Sequence, residues 1–163
     1  MGIFLKDINL KGKTALITGA TKGLGRGAAE AIAEAGGNVI AIGRNQSELN
    51  SLGKKIKKLK VNYTSFNCDV NNYNKIKSFI TKLKKLDILV NNAGTNIPEN
   101  FLNVKKISLD TILNVNTKAV FNIAQLCANQ IIKLKKKQGS IINISSIFGL
   151  VAGQKRTVYS MTK

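Results

Sequence analysis

The sequence predicts an α/β fold built on a doubly wound parallel sheet. From Lys13 onward, short apolar runs alternate with amphipathic stretches, which is the pattern of successive βαβ units. A glycine-rich turn follows the first apolar run directly and leads into the first amphipathic stretch. The 163 residues, 44% of them hydrophobic, are enough to build one core. We therefore expect a single domain over residues 1–163, without a linker or an internal repeat.

The first βαβ unit begins with an apolar strand at Thr14–Ile17. The helix that follows is predicted from about Leu24 to Ala35. Gly36-Gly37 predicts its C-terminal cap, since glycine accepts the left-handed conformation that commonly ends a helix. Asn38–Ile42 is then the second predicted strand.

The second crossover is predicted to be a lysine-rich helix. Asn45, with Glu48 three residues later, has the pattern of a helix N-cap. Within Ser47–Lys60 the lysines project largely away from one apolar stripe. The stripe consists of Leu49, Leu52, Ile56 and Leu59. Val61–Phe66 is the third predicted strand.

The remaining elements complete a five-stranded sheet. A third helix is predicted to have Tyr73, Ile76, Phe79, Ile80 and Leu83 on its apolar side. It leads to the fourth strand, Asp87–Val90, after which Ser108 is expected to cap a long helix running to about Lys136. Ser140–Ile144 is the fifth strand. Right-handed crossovers then give the strand order 3-2-1-4-5.

Ligands of such sheets bind at the carboxyl ends of the strands, where the strand order reverses. The predicted order brings glycine-containing and polar segments from all five strands to that edge. They are Gly19–Gly25, Gly43-Arg44, Asp69, Asn91–Gly94 and Ser145-Ser146. One ligand can therefore contact residues that lie far apart in the sequence.

The net charge of +18 raises the alternative of a nucleic-acid binder, because clustered cations are the electrostatic footprint of such proteins. Only Arg26, Arg44 and Arg156 among the 26 basic residues are arginine, and no basic stretch alternates with aromatic residues for base stacking. Most of the charge is lysine on solvated helix faces. We therefore expect no nucleic-acid partner.

The sequence gives no indication of metal, disulfide or membrane chemistry. There is no histidine, and Cys68 and Cys127 have neither the spacing of a metal site nor the number of a disulfide framework. No apolar stretch approaches the roughly 18 residues of a membrane span. Met1–Leu5 is too short for the core of a signal peptide. We expect a cytoplasmic protein that binds no metal and no membrane.

The glycine-rich turn has the pattern T-G-x-x-x-G-x-G over Thr18–Gly25. Glycines permit positive φ and let backbone N–H groups approach an anion, and the start of the following helix adds unpaired donors. The turn therefore predicts a pyrophosphate site. The alternative is an ordinary strand-to-helix turn, because 14 glycines in the chain will produce such spacings.

The pattern Tyr-x-x-x-Lys occurs twice, and its surroundings distinguish the two copies. Tyr73 to Lys77 lies on an amphipathic helix, where we expect Tyr73 to be partly buried packing. Tyr159 to Lys163 follows the fifth strand and has Ser146 thirteen residues upstream. A spacing of four on a helix puts Lys163 on the same face as Tyr159.

With these motifs in this order, the chain resembles the short-chain dehydrogenase/reductase family from about Leu10 onward. The shared motifs are the glycine-rich turn, Asp69, Asn-Asn-Ala-Gly at 91–94, an Asn in the long helix, Ser146 and Tyr159-x-x-x-Lys163. The resemblance implies a Rossmann-like fold and a dinucleotide-dependent oxidoreductase that interconverts a secondary alcohol and a ketone. A 3-oxoacyl thioester or a sugar- or polyol-type compound would be its small-molecule substrate.

The resemblance also implies the site residues. The catalytic set is Asn116, Ser146, Tyr159 and Lys163. The cofactor-binding set is Gly19, Thr21, Lys22, Gly23, Leu24, Gly25, Arg44, Asp69, Val70, Asn92, Ala93, Gly94, Tyr159 and Lys163.

The expected roles follow from chemical need. Hydride transfer to a carbonyl leaves an alkoxide, so an acid has to stand within hydrogen-bond reach. Tyr159 is expected to be that acid, and the Lys163 cation would favour its phenolate. Ser146 would hold the substrate oxygen, while the family resemblance places Lys163 on the nicotinamide ribose and Asn116 in a water relay. The alternatives are that Ser145 or Ser146 caps a turn and that Asn116 bonds to backbone within a buried helix.

The end of the second strand predicts NADP rather than NAD. An NAD enzyme places an acid there for the ribose 2′-hydroxyl, whereas this chain has Gly43-Arg44. Arg44 can bind a 2′-phosphate, and Lys22 in the glycine-rich turn can contribute a second cation. The alternative is that both side chains are simply exposed.

Lys163 is the last residue, whereas the family resemblance implies further strands and helices. We therefore expect a C-terminally incomplete domain in which the later strands are missing and the fifth strand is an unprotected edge. A homo-oligomer is expected for the full-length form. The alternative functions are a catalytically inactive NADP-binding module and a truncated fragment without turnover.

Overall fold

The computed structural model describes residues 8–136 and 138–163. Their strands are β1 (Thr14–Thr18), β2 (Asn38–Gly43), β3 (Tyr63–Asn67), β4 (Ile88–Asn91) and β5 (Ser140–Asn143). All neighbouring strands are parallel, and the order across the sheet is β3-β2-β1-β4-β5. The predicted fold class and strand order are confirmed.

Helices connect these strands. They are α1 (Gly23–Glu34), α2 (Gln46–Lys57), α3 (Tyr73–Ile80), α4 (Lys106–Leu113), α5 (Ala119–Lys133) and α6 (Thr157–Met161). A π-helical turn at Asn114–Lys118 joins α4 to α5. Short 3₁₀ turns lie at Phe101–Asn103 and Ile147–Gly149.

β1 is the central strand and is buried along its whole length. Its Leu16 is paired with Ile40 of β2 and with Leu89 of β4. Because successive side chains point to opposite faces, Ala15 and Ile17 pack in the cluster formed with α1 and α2, whereas Leu16 packs in the one formed with α3 and α5. Both faces are covered, which is why β1 is a continuous apolar run.

Two predicted helix caps are confirmed. Gly36 has a φ of +86° just after α1 and lets the chain leave the helix. At the start of α2, the side chain of Asn45 accepts a hydrogen bond from the Glu48 N–H at 3.1 Å. The short connection between β2 and α2 therefore holds Arg44 at the carboxyl edge of the sheet.

The predicted cap at Ser108 is wrong. α4 begins at Lys106, and the buried Ser108 lies inside it with its hydroxyl donating to Glu99 Oε1 at 3.1 Å. The other carboxylate oxygen of Glu99 accepts the Lys105 N–H, also at 3.1 Å. An acid from the preceding loop thus takes the place of the expected local cap.

The other differences lie at helix ends. Tyr73 is the first residue of α3 and is 41% exposed, so the expectation that it is packing is wrong. Leu59 is equally exposed because α2 ends at Lys57, two residues before it. The predicted long helix stops at Lys133 rather than Lys136, and the π-helical turn interrupts it.

β5 is an edge strand, as expected, and each of its residues is exposed. Within residues 8–136 and 138–163, no helix is both long enough and apolar enough to cross a membrane. The same residues contain no group of His, Cys, Asp and Glu side chains arranged to hold a metal ion.

Candidate active site

Two adjoining clefts lie at the carboxyl edge of the sheet. The glycine-turn cleft, about 570 Å³ in volume, is lined by residues that include Gly19, Thr21, Lys22, Arg44, Asp69 and Val70. The tyrosine cleft, about 440 Å³, is lined by residues that include Ser146, Phe148, Arg156, Tyr159 and Lys163. Asn92, Gly94 and Thr95 line both clefts. An extended ligand can therefore occupy both along this shared wall.

The glycine-rich turn is shaped by its backbone. Gly19 and Gly23 have positive φ values of +63° and +54°. A Cβ at Gly25 would overlap the Asn92 side-chain amide and the Gly19 carbonyl oxygen, so only glycine fits there. Lys22 precedes α1 without a side-chain cap, and the first turn of α1 carries no acid. The first N–H groups of α1 are thus available to an anion.

Thr18 joins the glycine-rich turn to the end of β4. Its buried hydroxyl oxygen accepts the N–H groups of Asn92 and Ala93, both at 3.0 Å. In return, the Asn92 amide donates to the carbonyls of Thr18 and Gly19 at 3.0 and 3.2 Å. Sequence reasoning missed this role of Thr18. The feature in the sequence that indicates this role is the position of Thr18, a polar residue at the end of a buried apolar strand.

The end of β2 has no room for an acidic side chain. A Cβ at Gly43 would collide with the Thr21 methyl group, so the turn packs directly on this position. Arg44 follows with a side chain that is 80% exposed, and its Nη1 lies 3.6 Å from Asp69 Oδ2. Such an exposed ion pair contributes little energy and leaves the guanidinium available at the cleft. Lys22 is the second cation of this lining, and Glu48 is a further acid.

Cys68 is a further residue of the glycine-turn cleft. Burial raises the pKa of its thiol, with a smaller upward contribution from the charge of Asp69 and an opposing one from Lys75. The thiol donates to the Asp69 carbonyl at 3.3 Å. Cys68 is therefore a neutral wall residue rather than a nucleophile.

Tyr159 and Lys163 both line the tyrosine cleft, but α6 ends at Met161, so Lys163 lies beyond the helix on which the spacing of four places it. The Lys163 Nζ lies 6.0 Å from the centroid of the Tyr159 ring. It also donates to the Ile144 carbonyl, just beyond β5, at 2.8 Å. Lys163 follows the end of α6, so this bond to the sheet edge fixes its side chain.

Both serines after β5 line the tyrosine cleft, but they bond differently. Ser146 Oγ accepts the Phe148 N–H at 3.2 Å and begins a 3₁₀ turn, so the alternative of a turn cap is realised. This bond uses an oxygen lone pair and leaves the hydroxyl proton for another acceptor. Ser145 instead donates to the Lys163 carbonyl at 2.6 Å.

Asn116 lies behind the clefts, in the π-helical turn, and is 4% exposed. Its Oδ1 accepts the Thr95 N–H at 2.8 Å, and its Nδ2 donates to the Thr95 carbonyl at 2.9 Å and to Thr162 Oγ1 at 3.0 Å. Asn116 therefore bonds to backbone of the loop after β4, not to its own helix. Sequence reasoning missed Thr95 and Thr162, which it joins.

The predicted cofactor residues divide between the two clefts. Those lining the glycine-turn cleft are Gly19, Thr21, Lys22, Arg44, Asp69, Val70, Asn92, Ala93 and Gly94. Leu24, Tyr159 and Lys163 line the tyrosine cleft. Gly23 and Gly25 shape the turn without lining either cleft.

Residues 13–163 match the family model described as short chain dehydrogenase. The chain is 37% identical over 156 residues to a 3-oxoacyl-[acyl-carrier-protein] reductase from Rickettsia prowazekii, covering 96% of this chain and 63% of that protein. It is 33% identical over 157 residues to an L-xylulose reductase from Mesocricetus auratus, covering 96% and 62%. The chain thus spans a little under two thirds of the length of these curated relatives.

A solved structure has the same arrangement of elements. It is a candidate 2-deoxy-D-gluconate 3-dehydrogenase from Agrobacterium tumefaciens with bound NADP. It superimposes with a TM-score of 0.87 at 28% sequence identity, covering 96% of this chain and 62% of that one.

Proposed function

This chain belongs to the short-chain dehydrogenase family, and from that premise we propose that it is an NADP-dependent oxidoreductase interconverting a secondary alcohol and a ketone. The observation that carries the proposal is the meeting of Ser146, Tyr159 and Lys163 in one cleft that shares a wall with the glycine-turn cleft. A dinucleotide fits this pair of clefts, because one holds anion-binding backbone and the other holds proton-donating side chains.

The glycine-turn cleft fits the adenosine and phosphate part of NADP. The unpaired N–H groups at the start of α1 suit a pyrophosphate, and Gly19 and Gly25 keep the approach to them free of side chains. Lys22 and Arg44 would hold the 2′-phosphate, since Gly43 leaves no space for the acid that a free 2′-hydroxyl would need. The NADP bound in the Agrobacterium tumefaciens structure supports NADP rather than NAD as the cofactor of this chain.

The tyrosine cleft would supply the proton chemistry. NADPH, when bound, provides the hydride. The Tyr159 hydroxyl donates its proton to the substrate oxygen as that oxygen gains negative charge. The Lys163 cation stabilises the phenolate that remains, and the Ser146 hydroxyl donates a second hydrogen bond to the same oxygen. Asn116 positions these groups by holding Thr95 and Thr162.

We further propose a 3-oxoacyl thioester or a sugar-derived ketone as the substrate class. The name of the Rickettsia prowazekii relative supports the thioester class, and that of the Mesocricetus auratus relative supports the sugar-derived class. In both classes the part that carries the ketone is small enough to enter a cleft of about 440 Å³.

Initial-rate measurements of NADPH oxidation with both substrate classes test this proposal. The panel contains 3-oxoacyl thioesters of different length and open-chain ketoses, each repeated with NADH. We expect turnover with at least one of the two substrate classes, and a lower KM for NADPH than for NADH. Failure of every ketone, with cofactor binding shown separately, would instead favour the inactive NADP-binding module.

A further inference from the structure

Arg156 places a positive charge in the tyrosine cleft. It is the N-cap residue of α6, is partly buried, and lines the cleft together with Ser146 and Tyr159. Its guanidinium carbon lies 5.2 Å from the centroid of the Phe148 ring, a cation–π distance. The aromatic contact holds the guanidinium at the wall of the cleft.

No carboxylate in the described part of the chain forms an ion pair with Arg156. Among the residues that the structure describes, those lining the tyrosine cleft include no Asp or Glu. Glu99 reaches the neighbouring loop, where its N–H donates to the Lys155 carbonyl at 3.1 Å, but its carboxylate accepts bonds from Lys105 and Ser108. Arg156 therefore offers the cleft a planar, permanently charged group without an anionic partner.

The second cation of the cleft is already engaged. Lys163 donates to the Ile144 carbonyl at 2.8 Å and lies beside the Tyr159 ring. Among the cleft residues that the structure describes, Arg156 is thus the cation that can take an anionic group of the substrate.

The position of Arg156 limits where that anionic group lies. Its carbonyl accepts the Ser160 N–H at 2.8 Å as α6 begins, so Arg156 and Tyr159 are one helical turn apart. Side chains three residues apart on a helix start about 5–6 Å from each other. An anion bound by Arg156 is therefore only a few bonds from the carbonyl that faces Tyr159.

We propose that Arg156 selects ketones that carry a carboxylate close to the reacting carbonyl, so that the substrate is a small oxo acid. The inference rests on the proposed ketone reduction, and it favours ketones that carry a carboxylate over the 3-oxoacyl thioester class. The guanidinium fork matches the two oxygens of a carboxylate, and binding one would supply the missing counter-charge in the cleft. A neutral ketone or a thioester offers no such partner at that position.

The test compares acetoacetate with its methyl ester, which has the same ketone but no charge. The measured quantity is the ratio of their kcat/KM values with NADPH. We expect wild-type protein to favour acetoacetate and Arg156→Gln to lower the ratio by about tenfold or more. Arg156→Lys keeps the charge but loses the planar guanidinium, so its ratio should lie between those of wild type and Arg156→Gln. The matched control is Lys155→Gln, which removes the adjacent exposed cation and should keep the wild-type ratio.

A binding arm separates this inference from the proposed function. Acetoacetate is titrated in the presence of NADP⁺, where no reduction occurs, and its binding is followed by ligand-detected NMR. Binding to wild type that is lost in Arg156→Gln and kept in Lys155→Gln supports the inference even if no ketone turns over. Absence of wild-type binding, or a kcat/KM ratio that Arg156→Gln leaves unchanged, overturns it.

Discussion

At the scale of single residues, the candidate site depends on groups too small or too polar for their surroundings. Gly25 and Gly43 lie where any side chain would meet Asn92 or Thr21. Thr18 is buried in an apolar strand and is kept there by two backbone N–H groups. Each is required at its position by a close contact within the protein, although such residues weaken a strand or helix elsewhere.

Gly25→Ala is expected to lower NADPH affinity by at least about tenfold, because the new methyl group would displace Asn92 and distort the phosphate turn. Isothermal titration measures the affinity. The control is Gly27→Ala in the same helix, where a Cβ has open space. That change should keep the affinity and raise the free energy of unfolding by about 0.5–1 kcal/mol. Equal losses in both variants would contradict the account of the turn.

Arg44→Asp is expected to weaken NADPH far more than NADH, because it replaces an attraction to the 2′-phosphate by a repulsion. One charge-assisted contact contributes roughly 1.5–3 kcal/mol, which corresponds to about 10- to 100-fold in affinity. Dissociation constants for both dinucleotides measure the difference. The matched control is Lys54→Asp on the exposed face of α2, away from the cleft lining. If Arg44→Asp weakened both dinucleotides equally, Arg44 would not contact the 2′-phosphate.

At the scale of elements, long-range polar contacts hold the segment between β4 and β5, which contains α4 and α5, against the sheet. Asp87 is 4% exposed, accepts the Thr14 N–H at 2.9 Å and pairs with Lys136 at 3.0 Å. This cluster ties the segment after α5 to the amino-terminal edge of β1. At the opposite edge, Asn116 holds the loop after β4 and the residue after α6. The segment after α5 and the turn that joins α4 to α5 are thus anchored separately.

Lys136→Gln should lower the free energy of unfolding by roughly 1–3 kcal/mol, because it leaves the Asp87 carboxylate buried with a single backbone donor. Urea denaturation measures this loss. Lys133→Gln, at an exposed position near the end of α5, should change stability by less than about 0.5 kcal/mol. Indistinguishable midpoints would show that the ion pair does not stabilise the fold.

The sequence was informative about elements whose signals are local. Periodicity and short spacings predict the strand order and the helix caps at Gly36 and Asn45. The position of Lys163 instead depends on its bond to the distant Ile144 carbonyl, because α6 ends at Met161. Hydrogen bonds between segments far apart in the sequence leave no local pattern, so they could not be predicted from it. Glu99 replaces the expected cap at Ser108, and Thr18 bonds to backbone 74 and 75 residues away.

At the scale of the whole molecule, the sheet brings two functions to one edge. The ends of β1 and β2 provide the glycine-rich turn with nearby cations, and the segment after β5 provides Ser146, Tyr159 and Lys163. The strand order reverses between β1 and β4, which is where ligands enter doubly wound sheets. The wall shared by the clefts, which includes Gly94 and Thr95, joins the two halves into one site.

The most direct test of this account is the separation of cofactor binding from proton transfer at Tyr159. Tyr159→Phe keeps the ring that lines the tyrosine cleft but removes the hydroxyl. We expect NADPH affinity to stay near wild type while kcat falls by at least about 100-fold, the size of a general-acid contribution. Tyr73→Phe, in the other Tyr-x-x-x-Lys copy, should change neither value. Undiminished turnover in Tyr159→Phe would contradict the assignment of the catalytic acid and, with it, the proposed mechanism.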